Sequence, residues 1–153
     1  MLSILLLFSA SVLAVHASLV DQHSLRLPNT HTGAIAAMNV LLLLVWTTLV
    51  GLRWQIATQW VAVAVVHVMI AMLPARVFGM GDAKLVSALA PVMLWWGTYS
   101  EWMLLSYLVA SVRGFVCLWS GWKQRIAFGP YLSGAWMLVV MGQLAHVAMA
   151  YSR

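Results

Sequence analysis

Six long apolar runs, divided only by short polar connections, leave this chain few ways to fold. They span roughly Met1–Val20, Ala34–Leu52, Trp54–Met72, Leu85–Tyr99, Trp102–Trp119 and Ala127–Tyr151. As α-helices most of these runs reach across a hydrocarbon core of ~30 Å. Lipid offers backbone groups nothing to hydrogen-bond with, so a spanning segment of this kind must be helical. A composition of 64% hydrophobic and 7% charged residues, with a mean hydropathy of +0.96, excludes an ordinary soluble domain. The expectation is an all-α polytopic membrane protein of about six transmembrane helices, forming a single domain over residues 1–153. The first run is read as a retained span, because no basic residue precedes Arg26 as a secretory signal requires; cleavage near Val15-His16-Ala17 is the alternative.

The net charge of +5 rests on only eight Lys and Arg, scattered between the runs. That distribution reads as membrane topology and argues against nucleic acid as a partner. If every run crosses, Arg26, Arg76, Lys84, Lys123 and Arg125 share one side, and Arg53 and Arg153 the other. The basic side is then cytoplasmic, and the N-terminus lies outside. The lone Cys117 forms no internal disulfide and no Cys-rich metal site.

The acids are three: Asp21, Asp82 and Glu101. A carboxylate at the edge of an apolar run is costly and therefore a candidate for function. Asp21 closes the first run and Asp82 precedes the fourth. Two crossings separate them, so parity brings both to the same face. Glu101 falls on the opposite one. Asp82 stands in Gly79-Met80-Gly81-Asp82, where two glycines would loosen the helix start and let another backbone approach. The plainer reading is an ordinary helix start with an acid near its cap. Asp21 lies in Asp21-Gln22-His23-Ser24-Leu25-Arg26-Leu27-Pro28-Asn29, where Pro28 and Asn29 read as a turn; here the plainer reading is an acid marking the membrane exit. Taken jointly, two carboxyls sharing one proton can activate water and protonate a leaving amide nitrogen. His23 and His31 flank the Asp21 stretch, but no ligand spacing of a catalytic zinc site is present, so neither metal nor cofactor is expected.

These stretches carry a resemblance. Asp21 followed by Pro28-Asn29, then Gly79-Met80-Gly81-Asp82-Ala83-Lys84-Leu85, resembles the type IV prepilin leader peptidases, which are GxGD intramembrane aspartic proteases. Phe128-Gly129-Pro130-Tyr131 is similar to the Pro-Tyr-Gly-Pro segment before that family's last helix, departing from it at Ala127. The small size is similar to the short members of Flp-type, or tight-adherence, pilus systems. The resemblance implies an aspartic endopeptidase of the bacterial inner membrane that removes leader peptides from prepilins or pseudopilins at the cytoplasmic face. It implies Asp21 and Asp82 as the catalytic pair and Gly79 and Gly81 as backbone elements beside them. Lys84 and Arg113 are assigned to contact with substrate or lipid headgroups. Larger members also methylate the new N-terminus and carry paired Cys-x-x-Cys zinc ligands; with one cysteine, this chain is expected to cleave without methyl transfer.

Two other classes stay open at this level: a small transporter or proton-relay protein, and a non-catalytic pilus or secretion assembly subunit. Two acids at one edge disfavour a relay, which needs polar groups through the middle of the bilayer. The topology itself is testable. With Cys117 replaced, single cysteines in segments 21–33, 73–84 and 120–126 should resist an impermeant thiol reagent added to intact cells, and outside labelling at position 30 would overturn the assignment.

Overall fold

The computed structural model describes residues 2–24, 27–51, 53–72, 79–120 and 127–152. Six helices follow in order: α1 Leu2–Ser24, α2 Asn29–Val50, α3 Trp54–Met72, α4 Met80–Trp96, α5 Tyr99–Trp119 and α6 Gly129–Tyr151; there is no strand among the described residues. This is the all-helical architecture that the apolar runs dictate. Four segments are long and apolar enough to cross a membrane by length and composition alone: Leu2–Gln22, Asn29–Val50, Trp54–Met72 and Gly129–Ala150. Of the other two helices, α4 has 17 residues and α5 carries Glu101 and Arg113.

Helix α4 is the axis of the bundle. It packs against α2, α3, α5 and α6, while α1 closes the far side by packing on α2 and α6. From Leu85 to Met93 all of its residues but Ser87 are buried, as befits a helix that is apolar all round. Pro91 interrupts it. Proline has no N–H, so the Ser87 carbonyl loses its intrahelical donor. The indole N–H of Trp60 on α3 donates there instead, at 2.7 Å. The next two carbonyls also receive side-chain donors: Asn39 Nδ2 on α2 reaches Ala88 O at 2.7 Å, and Trp136 Nε1 on α6 reaches Leu89 O at 3.3 Å. Three neighbouring helices thus grip one turn of the central one. On α5, Trp102 Nε1 donates to Leu132 O of α6 at 2.8 Å.

Register on α1 is set by small residues. Leu7, Ala10, Ala14, Ala17 and Asp21 are all buried, a repeat of three and four residues that keeps them on one face. Leu5, Phe8, Val12, Val15 and Leu19 lie exposed on the other. The alanines allow close helix approach, as small residues do in membrane bundles. Exposed apolar residues also cover α3 (Val61, Val65, Met69, Met72) and α5 (Leu104, Leu108, Val112, Phe115). Such surface belongs against lipid rather than water.

Two helix starts bear on the sequence reading, one in its boundary and one in how tightly it is wound, each for a local reason. Pro28 does not end in a turn at Asn29: it caps α2 in an extended conformation, and Asn29 is the first helical residue. A proline just ahead of a helix forfeits no bond, since those N–H groups have no intrahelical partner. The two early glycines do not open α4 either. Met80 already starts the helix, and Asp82 Oδ2 accepts the Gly79 N–H at 3.2 Å, satisfying a donor at the helix start. At its other end α4 stops at Gly97, whose φ of 71° suits glycine, and Thr98 N–H bonds back to Met93 O.

Removing the Trp60 donor should expose the defect at Pro91. Trp60→Phe is expected to cost about 1 kcal/mol, the loss of a hydrogen bond to a half-buried carbonyl. Trp54→Phe, at a position 71% exposed, should stay within about 0.5 kcal/mol. Unfolding of both variants in detergent micelles measures the difference.

Candidate active site

Asp21 and Asp82 come from helices that do not pack on each other, yet they line one cleft of about 330 Å³. The cleft is completed by Leu27, Gly79, Met80, Gly81 and Lys84. Asp21 arrives in the last turn of α1 as the continuation of the buried alanine stripe and is only 6% exposed. Its Oδ2 has no hydrogen-bond partner. Asp82 arrives in the first turn of α4 with Oδ2 on the Gly79 amide. The parity argument placed the two acids on one face; the fold brings them to one cavity.

Helix α6 holds Asp21 in place. The Gly129 backbone comes so close that a Cβ there would stand 2.8 Å from Asp21 Oδ2. One turn back on α1, the buried Ser18 hydroxyl lies 2.7 Å from Ser133 Oγ, 2.7 Å from Ala14 O and 3.2 Å from Gly129 O. A hydroxyl has a single proton, so Ser18 donates to one of these while Ser133 can donate to it. This hydroxyl pair and the glycine seat the end of α1 on the start of α6.

A strap closes the other flank. Leu27 packs on Gly81, where a Cβ would meet Leu27 Cβ at 3.2 Å and Cδ1 at 3.3 Å. Two residues on, Asn29 Oδ1 accepts a hydrogen bond from Lys84 Nζ at 2.8 Å. Gly81 therefore matters as a packing surface. It lies in regular helix, and the described glycines with positive φ are Gly51 and Gly97. Gly79 is crowded by Asp82, with a would-be Cβ at 3.1 Å from Oδ2.

Lys84 lines the cleft as the sequence reading allowed, held by Asn29. Arg113 does not line it: its side chain is exposed on α5, near Tyr131 of α6. Glu101 opens α5, beyond the far end of α4, and accepts a bond from Ser100 at 3.0 Å. His31 engages His16 of α1, with Nδ1 of His16 and Nε2 of His31 2.8 Å apart; the side chain of His23 lies outside the described residues. Among the described residues no three His, Cys, Asp or Glu side chains form a group able to hold a metal ion. Reasoning from sequence missed Ser18, Ser133 and the approach of Gly129. Its one signal was the glycine and proline of Phe128-Gly129-Pro130-Tyr131.

Fold and site together define a membrane-embedded helical bundle with two convergent carboxyls at one end. A model of the type IV leader peptidase family matches residues 6–119, which takes in α1 to α5 with Asp21, Gly79, Gly81, Asp82 and Lys84, and the chain belongs to that family. No curated protein and no solved structure matches it.

For a peptidase of this build, two glycines become test positions. Gly129→Ala should displace the Asp21 carboxyl and lower peptide cleavage in membranes about a hundredfold, the order expected for a misplacement of about 1 Å at a reacting group. Gly81→Val should push Leu27 out of the cleft wall with a comparable loss. Near wild-type turnover in either inserted variant would mean that the contact is incidental.

Proposed function

We propose that this protein is an aspartic endopeptidase that removes the leader peptide of prepilins or pseudopilins at the cytoplasmic face of the bacterial inner membrane. The observation that carries this reading is the convergence of Asp21 and Asp82 on one cleft at one end of the bundle. Two carboxyls that line one cleft beside apolar surface do not both ionise readily, so one proton stays between them. The ionised partner takes a proton from water as it attacks the scissile carbonyl. The protonated partner stabilises the developing oxyanion, and a proton then passes to the departing amide nitrogen. The cleft that both carboxyls line is the place for that water.

Geometry also supports the choice of substrate. The cleft lies at the start of α4, beside Leu27, where an extended peptide can lie with its apolar continuation in the bilayer. Gly79, at the cleft edge, is exposed. Cleavage without methyl transfer is part of the same proposal. Membership of a pilus or secretion system, of the Flp type in particular, belongs to the same proposal.

Co-expression with a pilin-like protein encoded beside the gene, read as a mobility shift on leader removal, tests it. Asp21→Asn and Asp82→Asn should each reduce cleavage by about 10²–10⁴-fold at normal expression. Cleavage surviving in either variant would remove the pair from the mechanism.

A further inference from the structure

Lys84 and Asn29 belong to two motifs that lie far apart in sequence, and the fold joins them by one hydrogen bond of 2.8 Å. Lys84 lines the same cleft as both aspartates, yet among the described residues no ion pair forms there. Its ammonium is given to a neutral amide oxygen. An amide carbonyl accepts the N–H without cancelling the charge, as a carboxylate in its place would. Lys84 and Asp82 are two residues apart on one helix and do not share a face, but a four-carbon stem released from Asn29 is free to turn within the cleft that the carboxyls line. The strap that carries Asn29 is itself pinned, since Leu27 packs on Gly81.

We propose that the Lys84–Asn29 bond is an electrostatic latch: it fixes one cation beside the two carboxyls, where its field favours the singly ionised pair, and keeps that cation from closing onto them as an ion pair. Lys84 and Asn29 are thereby positioning residues. The inference rests on the peptidase reading in treating Asp21 and Asp82 as sharing a proton. Other polar groups near the pair do not duplicate the role. From α1 come Asp21 itself and His16, the latter engaged with His31 of α2. From α5, Tyr107 feels the Asp82 charge, and the exposed Arg113 acts electrostatically on Tyr131 of α6. On α3, His67 bonds to Val63 O one turn back.

Two substitutions separate the parts of the latch by opposite signs. Lys84→Met removes the cation, which makes the second ionisation harder and moves the pair's titration to higher pH. Asn29→Leu frees the ammonium to approach a carboxylate, which favours ionisation and moves the titration to lower pH. Lys84→Arg keeps the charge and a donor and should hold the wild-type midpoint. The readout is the infrared C=O band of protonated carboxyls, followed against pH for the full chain in liposomes. Only three acidic side chains contribute to that band, and Asp21→Asn and Asp82→Asn identify the pair's share. The expected displacement is about one pH unit in each direction. A midpoint unmoved by Lys84→Met or by Asn29→Leu, or displaced the same way by both, overturns the latch. The alkaline limb of prepilin cleavage should follow the same order. Opposite infrared shifts in a protein that cleaves no prepilin would uphold the latch while sinking the peptidase reading.

Discussion

A proline in the middle of the central helix is the constraint on which this bundle depends. In hydrocarbon there is no water to take up a carbonyl that proline has released. Pro91 releases that of Ser87, and the fold answers from outside the helix with Trp60. Asn39 and Trp136 add donors to the two carbonyls that follow. Each donor comes from a different helix, so satisfying one turn of backbone also fixes how α2, α3 and α6 sit against α4, both along the axis and in rotation. The hydrophobic effect cannot do this between helices that are already in lipid; packing and directed hydrogen bonds must.

That fixed axis determines where the site lies. Asp82 is the third residue of a helix whose middle is clamped, and its carboxylate is turned back onto the Gly79 amide. Asp21 has no contact between its own helix and α4 to rely on. It is brought in indirectly, by the seat of α1 on α6 through Ser18, Ser133 and Gly129, and by the strap from Leu27 to Asn29. The two halves of the pair thus belong to different mechanical units. The Asp21 Oδ2 is buried at this junction, packed on the Gly129 backbone.

Much of this was legible from the residues alone. Apolar runs gave the helices and, for Trp54–Met72, both ends. Counting crossings put Asp21 and Asp82 on one face, because parity is a discrete property that survives errors in boundaries. The start of α2 was less legible: hydropathy detects the apolar part of a helix, whereas α2 begins in polar residues after Pro28. The contacts around the pair were not legible. Ser18 and Ser133 are ordinary small residues 115 positions apart, and only packing makes them neighbours. Nor does spacing say that Lys84 turns to Asn29, since a lysine has many partners within reach of its stem.

The alanine stripe of α1 has a consequence for how such a chain can drift over generations. Leu5, Phe8, Val12, Val15 and Leu19 face outward and can exchange among apolar residues at little cost. Ala10, Ala14 and Ala17, on the face that continues into Asp21, have no such latitude, because any larger side chain wedges α1 away from its neighbours and carries the carboxylate with it. Two residues of equal hydropathy on one helix therefore differ sharply in permitted variation, and the divide runs along the helix as a line rather than across it as a zone around the cleft.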